Sequence, residues 1–228
     1  MTQYVVPAPV VTTVPVEGTD AVFPVRRVLC VGRNYAAHRA EMGGDDREPP
    51  FFFSKPADAI VAPPHHAVPY PTVTQNLHHE IELVVAIGAP GSDVPVAEAH
   101  ELIWGYAVGV DLTRRDLQNA AKDKGQPWDS GKGFDASAPI SAIRPVALSG
   151  HPQGRIQISV NGVTKQDGKL SDMIWNVAEV IAQASKLWRL EAGDLIYTGT
   201  PEGVGPLVRG DEVKGSIEDV GEVEFKVI

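Results

Sequence analysis

Short apolar runs separated by turn-forming residues dominate this chain, and few segments hold a helical period for long. Residues 4–22 interleave β-branched residues with Pro, a pattern that suits edge strands or an extended arm rather than a helix. RRVLCVG (26–32) is a continuous apolar run that ends in Gly and predicts a buried strand. FFFSKPADAIVAPP (51–64) continues as strand material broken at Pro56 and Pro63, and HHEIELVVAIG (78–88) and YAVGVD (106–111) are further strands. RIQISVNGVTKQDGKL (155–170) alternates well and carries Asn161-Gly162, the turn chemistry of a tight hairpin. GDLIYTGTPEGVG (193–205) reads as a strand that ends in a Gly/Pro/Thr loop, and DEVKGSIE and GEVEFKVI supply two short terminal strands.

Helical patterns are fewer. NYAAHRAEMGG (34–44) predicts a short helix that Asn34 caps and Gly43 terminates, followed by the polar, proline-bounded loop DDREPP, suited to a movable flap. VAEAHELIWGY (96–106) has helical spacing of Ala97, Leu102 and Ile103, and TRRDLQNAAKDKG (113–125) follows YAVGVD as a helix. SDMIWNVAEVIAQASKLWRL (171–190) is the clearest amphipathic helix. Ser171 is its expected cap, and Ile174, Val177, Ala178, Ile181, Ala184 and Leu187 or Trp188 form its apolar stripe. Strands outnumber helices, no G-x-G-x-x-G follows the first strand, and no repeat of constant period occurs. The expectation is a β-rich α+β protein, with an arm or edge strands over residues 1–24 and a single domain over 25–228.

A hydrophobic content of 43% with 21% charged residues is globular and large enough for a sizeable core. The net charge of -9 argues against nucleic acid or an anionic membrane as partner. A small anionic substrate remains compatible, provided a metal or local cations reverse the field where it binds. The single cysteine, Cys30, cannot form an intrachain disulfide and reads as a buried structural thiol. The first twenty residues lack the basic start and apolar stretch of a signal peptide, and no run reaches the roughly 18 apolar residues that span a bilayer. A cytoplasmic protein without a membrane segment is expected.

Three carboxylates stand out. In an extended chain Glu80 and Glu82 point to one face while Ile81 and Leu83 point to the other, and Asp111 ends another apolar run. Buried like charges need a cation, a shared proton or a basic partner, and an oxygen-only set suits a hard ion, Mg²⁺ or Mn²⁺, rather than zinc. The alternative places both glutamates on the wet face of an edge strand, with Asp111 as a helix cap. His38 and Glu41, three apart, share a helix face if the segment is helical, and a carboxylate beside an imidazole makes a general base for water; a solvated surface pair has the same spacing. Lys132, in SGKGFDASAPIS, suits a substrate carboxylate or a developing enolate, or else is a solvated loop lysine. Arg33 points toward wherever His38 points, and TGTP (198–201) offers hydroxyls and N–H groups for an anion. His65, His66 and His151 read as solvent-facing loop residues, His100 as part of an amphipathic helix, and His79 as a packing residue opposite the glutamates. No G-x-S-x-G or Cys/His pattern supports a serine or cysteine nucleophile.

Taken in order, VGRNYAAHRAEMG, FFFSKPADAI, NLHHEIELVVAIG, GYAVGVDLTRRDLQ, PWDSGKGFDASAPI, VNG, MIWNVAEVI and GDLIYTGTPEGVGP resemble the fumarylacetoacetate hydrolase family from about residue 25 to the C-terminus. The resemblance implies a mixed β-roll with a few flanking helices, a homodimer, and Mg²⁺ or Mn²⁺ on Glu80, Glu82 and Asp111. It further implies that His38 and Glu41 form a water-activating dyad on a lid that Lys132 helps to hold, and that Arg33, Gln118 and Thr200 contact substrate oxygens. The short length and the run REPPFFFSKPADAI look like the bacterial members that split fumarylpyruvate in gentisate breakdown. Gly131 and Gly133 around the lysine and the acidic GGDDRE segment depart from the family pattern. The expected reaction is metal-dependent hydrolysis of a C–C bond in a small anionic 2,4-dioxo acid, with oxaloacetate decarboxylation or isomerisation of a hydroxymuconate-type diacid as alternatives.

Overall fold

The longest apolar runs form the middle of a six-stranded sheet in the computed structural model, which describes residues 3–35 and 48–228. Its strands lie in the order Arg144–Pro145, Ile103–Val110, Ile81–Ile87, Asp194–Tyr197, Arg27–Gly32 and Phe51–Lys55. Asp194–Tyr197 runs parallel to Arg27–Gly32 and antiparallel to Ile81–Ile87, so the sheet is mixed. Every residue of Ile81–Ile87 is buried, because both faces of the sheet are covered, and this is why the run is apolar on both faces apart from Glu82 rather than alternating.

The two faces divide along the strand as the pleat dictates. Ile81, Leu83, Val85 and Ile87 enter one core cluster together with Ile156, Ile158, Val213 and Phe225 of a second sheet and with Val180, Ile181 and Ala184. Val84 and Ala86 enter the opposite cluster with Val28, Cys30, Leu195 and Tyr197. The second sheet has five strands in the order Val163–Lys169, Arg155–Val160, Glu212–Ile217, Gly221–Val227 and Ala67–Val68. Its first hairpin turns at Asn161 and Gly162, with φ of 51° and 76°, the left-handed pair that a two-residue turn between twisted strands requires. At the N-terminal end Thr13–Pro15 pairs with Val22–Pro24, and Val14, Val16, Phe23 and Val25 pack into the second cluster. Together these elements make a strand-rich α+β fold, and among the described residues no helix is long and apolar enough to cross a membrane.

Three local expectations need correction. HHEIELVVAIG is two strands: Leu77–His79 pairs with Thr113–Arg114 and Gly205–Leu207 in a separate small sheet, and the chain enters the large sheet only after Glu80. VAEAHEL forms a 3-10 helix, Val96–Leu102. The amphipathic helix spans Val177–Leu187, shorter than its sequence pattern, and its cap is Asn176 rather than Ser171. The Asn176 side chain accepts the Glu179 N–H at 3.0 Å while the Glu179 carboxylate accepts the Asn176 N–H at 3.0 Å, a reciprocal cap that Ser171 has no glutamate or glutamine to form. Upstream, the Ile174 and Trp175 N–H groups are committed to the backbone and side chain of Asn34, each at 2.8 Å, which stops the helix from extending backward. Of the helix expected over 34–44 and the loop after it, residues 36–47 lie outside the described residues.

Replacement of Asn176 by Ala is expected to lower unfolding free energy by about 1 kcal/mol in urea denaturation. Ser171→Ala is expected to stay within about 0.5 kcal/mol of the parent. The reverse order would return the cap to Ser171.

Candidate metal centre

Two neighbouring strands bring the three carboxylates together. Register pairs Ile81 with Val110, so Glu80 and Asp111 sit side by side at the strand ends, and the Asp111 N–H donates to the Glu80 carbonyl at 2.8 Å. Glu82 lies one pleat further in. One oxygen from each of Glu80, Glu82 and Asp111 falls within 4.8 Å of the others, and the residues are 5%, 1% and 0% exposed. The solvated edge-strand alternative is therefore excluded.

Anions so placed need cations, and the fold supplies three. Lys132, the last residue of the short helix Asp129–Lys132, donates to Glu80 Oε2 at 2.8 Å, Asp111 Oδ2 at 2.6 Å and Thr113 Oγ1 at 2.7 Å. All three of its ammonium hydrogens have acceptors, so this lysine is buried and fixed rather than mobile in a loop. Burial alone would lower its pKa, but Asp111 and Glu80 outweigh that effect and hold it above the ordinary value. Lys55 lies 2.8 Å from Asp111 Oδ1 and donates to the Leu112 and Lys132 carbonyls. Arg115 donates to Glu80 Oε1 and to Gln118 Oε1. Neither Lys55 nor Arg115 was foreseen as part of the site. A lysine inside the apolar FFFSKPADAI and a doubled arginine, Arg114-Arg115, that begins three residues after Asp111 were the available signals.

Glu82 is different. Its Oε2 accepts the Gly199 N–H at 2.7 Å, yet among the described ion pairs none involves it. Gly199 has a left-handed φ of 99°, and a Cβ there would lie 2.7 Å from that of Asn34, so only glycine brings this N–H to the carboxylate. Burial first, then Asp111 and Glu80, push the Glu82 pKa well above the usual carboxylate range, against smaller lowering effects from Lys132 and the Gly199 N–H. With Glu82 ionised the formal charges cancel, three against three; with Glu82 protonated the cluster carries one net positive charge.

This donor set fits a hard divalent cation. It is all oxygen, it is preassembled, and Asp111 Oδ1 is a buried acceptor that receives no hydrogen bond despite Lys55 nearby. His79 is no ligand: it faces away, 2.9 Å from Gln166.

Two neighbouring cavities adjoin the trio. A small cavity lined by Glu80, Glu82, Arg115, Gln118, Lys132 and Thr200 shares Arg33, Phe53, Trp128 and Lys132 with a larger cavity of about 510 Å³ that Phe51 and Phe52 also line. Arg33 stands at a left-handed φ of 58° with its buried Nε unpartnered and its guanidinium 5.8 Å from the Phe51 ring. Phe51 and Trp128 meet edge-to-face at 5.1 Å. The structure thus gathers Glu80, Glu82, Asp111, Lys132, Arg33, Gln118 and Thr200 in one place. His38 and Glu41 lie outside the described residues.

Because the native state holds the Glu82 proton more tightly than the unfolded chain, whose carboxylate releases it above an ordinary pKa of about 4.3, the metal-free protein loses stability as pH rises from there toward the raised native pKa. A cation that needs the ionised form competes with that proton, so thermal stabilisation by a fixed concentration of Mg²⁺ or Mn²⁺ is expected to grow as pH rises. Calorimetry on Glu82→Gln is expected to show a weaker and nearly pH-independent shift. An unchanged, pH-dependent shift in that variant would remove Glu82 from the ligand set.

Residues 27–228 match the family profile of the fumarylacetoacetate hydrolase C-terminal domain. A fumarylpyruvate hydrolase from Ralstonia sp is 48% identical over 180 residues, covering 79% of this chain and 93% of the relative. The mitochondrial oxaloacetate tautomerase of Mus musculus is 43% identical over 203 residues, covering 89% of this chain and 91% of the relative. The crystal structure of fumarylpyruvate hydrolase from Pseudomonas aeruginosa, a complex with Mn²⁺ and pyruvate, superposes with a TM-score of 0.95 at 47% identity over 99% of both chains. A buried oxygen-only trio on this fold, matched over nearly its whole length, makes the chain a member of the fumarylacetoacetate hydrolase family.

Proposed function

We propose that the chain hydrolyses acylpyruvates, with fumarylpyruvate split into fumarate and pyruvate as the main reaction. The observation that carries this reading is the union of the carboxylate trio with a basic and aromatic pocket, Arg33, Lys132, Phe51, Phe53 and Trp128. Such a wall receives a planar unsaturated acyl group against ring faces and its carboxylate against the guanidinium. The relative from Ralstonia sp carries the name of this activity.

The pyruvyl end of the substrate belongs over Glu80, Glu82 and Asp111, where a bound divalent cation supplies Lewis-acid polarisation of a carbonyl and charge stabilisation. Arg33, Gln118 and Thr200 bind substrate oxygens. Gln118 reaches this role already oriented, since its Oε1 accepts from Arg115, which leaves its NH₂ group to donate. His38, oriented by Glu41, takes a proton from water as it adds to the C4 carbonyl; the C3–C4 bond then breaks, the acyl part leaves as a carboxylate, and C3 of the pyruvyl part is protonated. Lys132, fixed among acidic groups, offsets the negative charge that develops on the pyruvyl part, which is expelled as an enolate before C3 takes its proton. A homodimer in the cytoplasm, serving gentisate-type aromatic breakdown, belongs to the same reading.

A second reading is tautomerisation of oxaloacetate, favoured by the relative from Mus musculus. It moves a proton between carbon and oxygen of a 2-oxo diacid and needs no attacking water. Steady-state rates on fumarylpyruvate, a simple acylpyruvate and oxaloacetate separate the two, and turnover of oxaloacetate alone would favour the second.

His38→Ala is expected to keep Mn²⁺ affinity while kcat on fumarylpyruvate drops by about 10² to 10⁴-fold. Near-normal turnover in that variant would overturn the assignment of the base.

A further inference from the structure

Gln166 sits on Val163–Lys169, the outermost strand of the five-stranded sheet, and is the one buried side chain in that strand. Its amide is fully committed. Oε1 accepts from the Ile81 N–H at 3.1 Å and contacts His79 Nδ1 at 2.9 Å, while Nε2 donates to the Pro201 carbonyl at 2.7 Å and to Thr200 Oγ1 at 2.8 Å. Two of these partners leave no freedom. A backbone N–H only donates and a carbonyl only accepts, so the amide has one orientation. His79 must then donate from Nδ1, and Thr200 must accept at Oγ1.

The consequence for Thr200 matters most. A hydroxyl that accepts from Gln166 keeps its single hydrogen for another partner, and among the described hydrogen bonds Thr200 Oγ1 donates to none. Thr200 is 3% exposed and lines the small cavity beside Glu80, Glu82, Gln118 and Lys132. Its hydrogen is thus left for a partner in or beside that cavity. The opposite edge of the same amide grips the chain on both sides of Glu80, so one side chain ties the hydroxyl to the segment that carries Glu80 and Glu82.

We propose that Gln166 is a positioning residue that makes the Thr200 hydroxyl a dedicated hydrogen-bond donor to an anionic oxygen of the bound 2-oxo acid. This rests on the reading of Thr200 as a substrate contact. An oxygen acceptor with negative charge gains most from such a donor, because the bond is charge-assisted and formed away from water. A hydroxyl free to rotate offers the same oxygen a lone pair as readily as a hydrogen.

The test is pyruvate binding to the Mn²⁺-loaded protein, followed by water-proton relaxation, with Mn²⁺ affinity measured separately. Gln166→Met is expected to weaken pyruvate about tenfold and to leave Mn²⁺ affinity within about threefold, because the described hydrogen bonds of Gln166 reach His79, Ile81, Thr200 and Pro201 and none of the three carboxylates. Thr200→Val is expected to lose a similar factor, and Gln166→Met added to Thr200→Val is expected to cost little more. Should the Met variant not fold, Gln166→Glu serves, since its carboxylate draws the Thr200 hydrogen to itself and should weaken pyruvate to the same degree. Equal losses from Gln166→Met with and without Thr200→Val, or unchanged pyruvate affinity in the folded variant, would overturn the proposal alone. Failure of the parent protein to bind pyruvate would overturn the functional reading and this inference with it.

Discussion

Three carboxylates closed off from water, with oxygens within 4.8 Å of one another, set the terms for this molecule. Removing an ion from water costs several kcal/mol even after relaxation, so such a cluster persists only with opposite charge brought equally close. Lys132, Lys55 and Arg115 bring it to Glu80 and Asp111. Glu82 is left with a backbone N–H and a strongly raised pKa. Glu82, with no ion pair among those described, and Asp111 Oδ1, which receives no hydrogen bond although Lys55 lies 2.8 Å away, are the acidic oxygens best placed to meet a cation.

The fold is arranged around that demand. The pleat of the central strand sends Ile81, Leu83, Val85 and Ile87 into one core and Glu82, Val84 and Ala86 toward the other face, so the acidic positions follow the same alternation as the apolar ones. The chain leaves the small sheet and enters the large one at Glu80, and the adjacent strand ends at Val110, just before Asp111. Strand ends are where side chains can gather while the strands themselves stay paired. Asn34 and Gly199 then draw the neighbouring loops inward, Asn34 by donating to the Trp175 and Thr198 carbonyls at 2.8 Å each.

Much of this was legible from sequence, and the exceptions share a cause. Period-2 spacing located Glu80 and Glu82, and the Asn161-Gly162 turn fixed its hairpin, because both are local properties of an extended chain. Burial of Lys132 was not local: SGKGFD reads as a solvated loop until Glu80, Asp111 and Thr113 arrive from other elements. Lys55 and Arg115 were missed for the same reason. The helix cap was misplaced because Ser171 opens the apolar pattern, whereas the Ile174 and Trp175 N–H groups are held by Asn34, more than a hundred residues away in the chain. Gln166 was invisible in an alternating strand that otherwise faces outward.

The family is secure, and the division between splitting an acylpyruvate and moving a proton in oxaloacetate rests on what surrounds a shared centre. Both proposed chemistries call for a divalent cation at the acidic trio. Crystals soaked in Mn²⁺ and measured at its absorption edge address it directly: one anomalous peak is predicted within coordinating distance of Glu80, Glu82 and Asp111 together. No peak there, or a peak held elsewhere while Lys132 still bridges Glu80 and Asp111, would contradict the account.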